Sequence, residues 1–553
     1  MKKVRTICTL GPSSNSREMI DELIKAGMDV ARLNFSHGTH EEHRKLYNII
    51  REASDENNVH IAIMADLQGP KIRISDFEEN IPVEVKEGDI IKIFSKNIKS
   101  KGMVFGCTYE KLANDVKIGD RVLIDDGNIR LEVKKIDGLE IDLEVKVGGL
   151  IKPHKGINLP GVAVSSPALT EKDLEDLKFV LTLPVDFVAL SFVRTAQDVL
   201  QARQIIHEAK KDIPVIAKIE REEGINNIEE ILRVSNGIMV ARGDMGVELS
   251  PEMVPSIQKR LIKLANDYGK TVIVATQMLE SMTDKPVPTR AEASDVANAI
   301  IDGADCTMLS GETAAGKYPV EAVKMMEKIG VEAEKFFIKQ HDKDICYDNF
   351  MTPSFVAPDT VCFSAVNIAK RLNAKAIIVY SDSGKSPLLI SKHRPSVPIL
   401  TVTSNFKTCN RVSMYWGVDS ILINRETKTT DEMIKSAARA AHITGLADVG
   451  DFIVIVAGIP AGKPGSTNLI KIHRINSHEK NNLSVIKFKN DSTKIEIIQD
   501  KCISCGYCVN VCPFQIFEFV DNKISINQEN GGNCIKDKKC VNGCPTGIIS
   551  IDS

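Results

Sequence analysis

Lys218-Ile219-Glu220 sets an ammonium and a carboxylate two residues apart, so on a strand both project from one face. Asp244, in Arg242-Gly243-Asp244-Met245-Gly246, adds a second carboxylate just after the next apolar run. A hard divalent cation takes one or two carboxylates plus substrate oxygens. A lysine beside it can stabilise charge on an enolate or on a phosphoryl group in flight. Polar stretches of the same kind follow other apolar runs: Arg32-Leu33-Asn34-Phe35-Ser36-His37-Gly38, Asp66-Leu67-Gln68-Gly69-Pro70-Lys71-Ile72-Arg73, Thr276-Gln277 and Ser310-Gly311-Glu312-Thr313. Arg32 could clamp a phosphate through paired N–H bonds. One polar strand end would be an interior ion pair; six recurring ends make a site.

The elements that must position these groups are short β-branched apolar runs at residues 4–8, 29–33, 60–65, 187–191, 214–219, 237–241, 271–275 and 306–309, most of them followed by a helix-like stretch. Strand–helix alternation argues for a parallel sheet buried on both faces. Eight units predict a closed (β/α)8 barrel, an α/β fold with its chemistry at the C-terminal strand ends. The rhythm breaks over residues 70–166, where short alternating strands and turns such as Asp125-Asp126-Gly127-Asn128 predict an inserted all-β lid domain. The barrel is therefore expected over 1–69 and 167–345. A further α/β domain is expected over 355–475, a linker over 476–494 and a cysteine-rich module over 495–553. The 553 residues exceed what one core serves. The net charge of −3 lacks the basic excess of a nucleic-acid binder. No apolar run of membrane-spanning length occurs, and the start reaches Gly11-Pro12-Ser13-Ser14 before any signal-like stretch, so a cytoplasmic protein with no membrane partner is expected.

The stretches 31–38, 65–73, 217–220, 240–246, 275–281, 288–297 and 308–314, together with Gly458-Ile459-Pro460-Ala461-Gly462-Lys463-Pro464-Gly465-Ser466-Thr467-Asn468, resemble pyruvate kinase, in family order across about residues 1–475. The resemblance implies a lid-bearing barrel followed by an α/β regulatory domain. It implies phosphoryl transfer from phosphoenolpyruvate to ADP, giving pyruvate and ATP, usually in a homotetramer. Glu220 and Asp244 would hold Mg²⁺ or Mn²⁺, Lys218 would stabilise the transferring phosphoryl group, and Arg32 would hold phosphate. Gly243, Asp244 and Thr276 would hold the substrate carboxylate, with Thr276 on the proton path and Ser310 and Glu312 as further catalytic residues. Asn34, His37, Arg73 and Lys155 would meet the nucleotide. Many members hold K⁺ around the positions of Asn34, Ser36, Asp66 and Leu67 and carry Glu where Lys71 stands. The Lys71 ammonium could replace that charge, so activity without K⁺ is expected. In the α/β domain, Ser381-Asp382-Ser383-Gly384-Lys385-Ser386 follows a strand and could nest a phosphorylated allosteric effector through Ser381, Ser383, Gly384, Lys385 and Ser386.

Seven of the 13 cysteines lie between Cys502 and Cys544. Cys502-x₂-Cys505-x₂-Cys508-x₃-Cys512-Pro513 has the spacing of the bacterial ferredoxin run, whose fourth cysteine serves the other cluster of a pair. A second copy reads Cys534-x₂-Asp537-x₂-Cys540-x₃-Cys544-Pro545. The tail resembles a two-cluster ferredoxin. Cys502, Cys505, Cys508 and Cys544 would hold one [4Fe–4S] cluster. Cys512, Cys534, Cys540 and Asp537 would hold a second, [4Fe–4S] or [3Fe–4S], because a carboxylate is a harder ligand than a thiolate. Zinc is the alternative metal. Phosphoryl transfer moves no electrons, so the tail is read as a redox sensor, a dock for an electron-transfer partner, or a structural staple. Two other classes compete for the whole chain: a metal-dependent pyruvate-enolate lyase or aldolase on the same barrel, and an electron carrier using the barrel as a scaffold.

Overall fold

A computed structural model describes residues 2–79, 81–162, 164–341, 356–423, 429–459, 467–476, 485–489, 494–498, 507–520, 523–530, 533–534, 539–542, 544 and 549–552. Eight strands close a parallel barrel: β1 (Arg5–Leu10), β2 (Val30–Asn34), β3 (Ala62–Asp66), β4 (Phe187–Leu190), β5 (Val215–Ile219), β6 (Gly237–Ala241), β7 (Thr271–Ala275) and β8 (Cys306–Leu309). β1 pairs with β8 and with β2, so the ring has no open edge. Apart from the end of β2 and Lys218 on β5, every strand residue is buried, which is why the runs read as unbroken apolar stretches.

Two apolar layers hold this fold together. Leu23, Leu33, Val188, Ile219, Val240 and Val323 fill the space between strands and surrounding helices. Inside the barrel, Ile7, Met64, Phe187, Met239 and Met308 run on into Ile377, Val412 and Met414 of the next domain. That α/β domain therefore plugs the N-terminal mouth of the barrel and leaves the C-terminal mouth to the lid. Polar bonds close the same seam. Arg5 Nε donates to the Tyr415 carbonyl at 3.1 Å, and its guanidinium pairs with Asp29 at 3.0 Å and with Asp419 at 2.9 Å.

The lid folds around its own core of Ile74, Phe105, Ile124, Val133 and Leu143. Its six-stranded sheet runs from Ile157–Asn158 through Arg121–Ile124, Ile129–Asp137, Glu140–Val147 and Ile90–Phe94 to Val104–Gly106. The expectation of an all-β insert needs one correction, a helical turn at Leu112–Asp115 that buries Leu112 and Ala113. Among the described residues the α/β domain carries five strands, β9 (Ala376–Tyr380), β10 (Ile399–Thr403), β11 (Val418–Leu422), β12 (Phe452–Gly458) and β13 (Thr467–Arg474), in the order β11-β10-β9-β12-β13. Only β13 is antiparallel to its neighbour.

In the tail, β14 (Val485–Lys489), β15 (Lys494–Ile498) and β16 (Ile549–Asp552) form an antiparallel sheet. The stretch expected as a linker over 476–494 thus contains a strand of the tail module. Its sequence hid the strand, because the lysines between its apolar residues and the polar Asn, Lys and Ser around it read as a linker. No helix among the described residues is long and apolar enough to cross a membrane.

Candidate active site and iron–sulfur module

The strand ends converge. Lys218 on β5, its side chain 11% exposed, lies 3.3 Å from Asp66 Oδ1 and 3.2 Å from Glu220 Oε1, and donates to Ser191 Oγ at 2.7 Å. Asp66 ends β3, and its Oδ2 accepts from Arg32 Nε on β2 at 2.7 Å. Arg32 also donates from Nη1 to Thr9 Oγ1 at 2.9 Å. Two cations thus flank Asp66. Burial alone would raise its carboxyl, but Lys218 and Arg32 outweigh burial and hold it below the ordinary range. Burial likewise works against the Lys218 charge, and Asp66 with Glu220 more than restores it, so the ammonium is firmly protonated.

Glu220 accepts from the Phe192 N–H at 2.7 Å. Burial is the larger cause of its raised carboxyl pKa; Lys218 opposes the rise and the neighbouring Asp244 carboxylate adds to it. A carboxylate pair disfavoured by its own repulsion in a dry site, with Asp244 partly open to solvent, is the donor set that a hard divalent cation neutralises. The residues fit such an ion. Among the described residues no three His, Cys, Asp or Glu side chains form a ready-made cage, so substrate oxygens and water would complete the shell.

Asp244 sits in the first turn of α3 (Arg242–Glu248). Here α1 is His40–Glu56 and α2 is Glu171–Val180. The Gly243 N–H is occupied, donating to Thr276 Oγ1 at 2.8 Å. Asp244 follows in the same first turn, where helix N–H groups have no intrahelical partner. Thr276 itself is held at φ 68°, a strained left-handed conformation for a β-branched residue. Arg242 keeps it there: Nη2 donates to the Thr276 carbonyl at 2.7 Å while Nη1 holds Asp295 at 2.6 Å.

Ser310 and Glu312 lie where the loops after β7 and β8 come together. Glu312 is fully buried; its Oε1 accepts from the Leu279 N–H at 3.0 Å and its Oε2 from the Ser310 N–H at 2.7 Å. It ties together the loops after β7 and β8. The Ser310 hydroxyl is buried without a hydrogen-bond partner among the described residues.

Asn34 Oδ1 accepts from the Ser36 N–H at 3.2 Å, and His37 follows on the same loop. Burial, then the charges of Arg73, Lys71 and Arg32, hold His37 below the ordinary imidazole range. Those three cations therefore surround one loop. Lys71 Nζ lies 3.8 Å from Asp244 Oδ1. Leu67, buried, offers its carbonyl to Ser191 Oγ at 2.7 Å. Arg73 and Lys155 lie on bridged segments of the lid; Arg73 donates to the His154 carbonyl at 3.0 Å and Lys155 pairs with Asp125 at 2.6 Å. The lid rests on α3 through Asn158 Nδ2, 3.4 Å from Glu248 Oε1. Ser191 had escaped sequence reasoning although it ends an apolar run, because a lone serine carries no charge pattern.

In the α/β domain, Gly384, at φ 75°, precedes α4 (Lys385–Lys392), and its N–H donates to Ser381 Oγ at 3.1 Å. Ser383 lies in the same turn. The Ser386 hydroxyl is buried against Thr467 Oγ1 at 2.6 Å, so of the expected phosphate-nesting groups this one is already spoken for.

The tail repeats its sequence duplication in structure. Cys508 lies in α5 (Tyr507–Val511) and Cys540 in α6 (Lys539–Asn542); each helix ends just before Cys512 or is followed closely by Cys544. The two helices pack together. Cys508 and Cys540 are buried, and Cys512, Cys534 and Cys544 pack against the same core of Ile495, Ile497, Ile516, Phe517 and Ile524. Thiols on a small apolar core are the ligand type of iron–sulfur sites, although no three of the described ones stand together as a ready-made cage. Cys502, Cys505 and Asp537 lie outside the described residues.

Comparisons with known proteins agree with this geometry. Residues 1–323 match the pyruvate kinase barrel domain, residues 359–473 the pyruvate kinase alpha/beta domain, and residues 486–548 a 4Fe-4S dicluster domain. Pyruvate kinases of Staphylococcus aureus strains MRSA252 and USA300 are each 47% identical over 477 residues, 86% of this chain and 81% of theirs. The crystal structure of a pyruvate kinase from Cryptosporidium parvum superposes with a TM-score of 0.80 at 38% identity, covering 86% of this chain and 96% of that one. The chain belongs to the pyruvate kinase family and carries a 4Fe–4S dicluster domain at its C-terminal end.

Proposed function

We propose that this chain transfers the phosphoryl group of phosphoenolpyruvate to ADP with Mg²⁺ or Mn²⁺, without needing K⁺, and then protonates the enolate to pyruvate. The observation that carries it is Lys218, held between Asp66 and Glu220 and within reach of the Asp244 charge. A divalent cation bound by Glu220 and Asp244 would supply charge neutralisation on enolate and phosphoryl oxygens. The protein's own groups do the rest. Lys218, already fixed by three partners, presents its charge to the phosphoryl group with no reorganisation. Arg32, braced by Asp66 and Thr9, holds phosphate. The Asp244 N–H and the Thr276 hydroxyl orient the substrate carboxylate, and Thr276 with Ser310 marks the proton path that Glu312 positions. Asn34, His37, Arg73 and Lys155 meet the nucleotide as the lid closes and excludes water. Lys71 beside Asp244 takes the place of the monovalent cation held elsewhere in the family around Asn34, Ser36, Asp66 and Leu67.

The same proposal divides the chain into barrel (1–69 and 167–345), lid (70–166), regulatory α/β domain (355–475) with an effector-phosphate loop at Ser381, Ser383, Gly384 and Lys385, and iron–sulfur tail. It includes a cytoplasmic homotetramer. The tail's role is redox sensing, or docking of an electron-transfer partner. In support, Asn510 and Val511 of the cysteine-bearing α5 line a cavity of about 790 Å³ whose other walls are Arg5, Asp29 and His60 of the barrel and Asp419 of the α/β domain. A change in the module would be felt at the seam. The test is pyruvate formation from phosphoenolpyruvate and ADP by anaerobically purified protein, with the clusters reduced and then oxidised. Absence of ADP-dependent activity in both states overturns the kinase assignment and favours a lyase. A shift in substrate affinity between states supports redox sensing; equal curves leave docking.

A further inference from the structure

The lid joins the barrel at two strands of chain, and one helix, α2, grips the first of them. Asp173 on α2 is fully buried. Its Oδ1 accepts from the Gly69 N–H at 3.0 Å, the last residue before Pro70 and the lid. Its Oδ2 accepts from the Thr170 N–H at 3.0 Å and the Thr170 hydroxyl at 2.6 Å, at the point where the chain returns from the lid. One carboxylate thus joins the way in to the way out. Gly69 is at φ 72°, and a Cβ there would stand 2.7 Å from the Ser191 Cβ, so the entry strand is wedged against the residue that also contacts Lys218. On the exit side, Arg194 holds the carbonyls of Val164 and, at 2.7 Å, Ser166.

The neighbouring residue faces the other way. Lys172 Nζ donates to the Phe35 carbonyl at 2.8 Å and to Asp176 Oδ2 at 2.6 Å. Asp176 Oδ1 accepts from His40 Nε2 at 2.7 Å. On α1, His43 stacks on Phe35 with centroids 4.1 Å apart and donates to the His37 carbonyl at 2.9 Å. The loop bearing Asn34, Ser36 and His37 is therefore held at the carbonyls of Phe35 and His37, from α2 and α1 respectively.

We propose that α2 is a coupling joint: Asp173, fastened to the lid hinge at Gly69, and Lys172, fastened to the nucleotide-side loop at Phe35, make lid closure and ordering of the loop one event. Both are positioning residues, since neither touches the reacting atoms. The inference rests on the phosphotransfer reading, because it assigns that loop and the lid to the nucleotide.

Coupling is reciprocal, and that provides a readout which mere local support would not move. Hydrogen–deuterium exchange of the full chain is followed in peptides covering 34–38 and 67–75, with and without Mg²⁺–ADP. Lys172→Met is expected to speed exchange at the distant hinge peptide as well as in the loop, and Asp173→Asn to speed exchange in the loop as well as at the hinge. Losing one charge-assisted bond is expected to raise the KM for ADP about tenfold, with the KM for phosphoenolpyruvate moved less than about twofold. Lys172 is half exposed, so its variant keeps the fold even if Asp173→Asn does not. Changes confined to the mutated side, or equal effects on both KM values, overturn the coupling. A wild-type chain without ADP-dependent turnover defeats the phosphotransfer reading instead, whatever the exchange shows.

Discussion

Lys71 stands 3.8 Å from Asp244 Oδ1, with side-chain exposures of 32% and 23%. Two unit charges at that distance attract by about 4 kcal/mol at an effective dielectric of about 20 and by about 1 kcal/mol in water. Both groups are partly wet, so the lower half of that range applies, about 1–2 kcal/mol. If the ammonium supplies the charge that a monovalent cation supplies elsewhere, its removal costs about 5- to 30-fold in rate. Lys71→Met is therefore expected to lower kcat/KM for phosphoenolpyruvate by that factor in K⁺-free buffer, and added K⁺ to recover part of the loss. Lys71→Glu should bind K⁺ more strongly and depend on it more. The assay is pyruvate formation at constant ionic strength, with tetramethylammonium replacing K⁺. A wild-type enzyme losing more than about tenfold on omission of K⁺, or a methionine variant indifferent to both, would refute the reasoning.

Lys218→Met leaves Asp66 and Glu220 buried without their shared cation; unfolding by urea is expected to show a loss of about 3–5 kcal/mol, and turnover to fall by at least about a thousandfold. Unchanged stability would mean the carboxylates find protons or water at little cost. His60, at the seam, is held at about 4 by burial and, less, by Arg51. The unfolded chain binds the proton below about 6.5 and the folded one does not, so stability is complete above about 6.5 and declines as pH falls toward about 4. Relative to His60→Leu, the wild type should lose about 2 kcal/mol between pH 7 and pH 5 by chemical denaturation, and parallel pH profiles would rule out this titration. For the tail, aerobic handling is expected to leave fewer than about eight irons per chain and a [3Fe–4S] signal in electron paramagnetic resonance, since a carboxylate ligand holds iron less firmly than a thiolate. Full iron and sulfide after exposure to air would argue against Asp537 as the weak point.

Much of this molecule is local, and the local part is legible in the chain. Barrel strands buried on both faces must be runs of apolar residues, and their ends must carry whatever chemistry the barrel has, so Arg32, Asp66, Lys218, Glu220, Asp244 and Thr276 stand out by position and type. Lys218 and Glu220 meet because residues two apart share a strand face. Cysteine spacing reveals the tail for the same reason: one cluster draws most of its ligands from one short run. Tertiary structure alone decided what depends on distant partners. Ser191 matters because β4 lies beside β5, Glu312 serves the Leu279 amide across a loop, and the Gly243 N–H is taken by a threonine 33 residues away. Asp173 looks in sequence like a helix cap; its bond to Gly69, 104 residues off, makes it a hinge residue. A strand hid in the expected linker because the lysines between its apolar residues read as a linker, and nothing local announces which strand it will join. Periodicity and spacing record which way a side chain faces, whereas the partner it meets is set by the closing of the barrel and the packing of domains upon it.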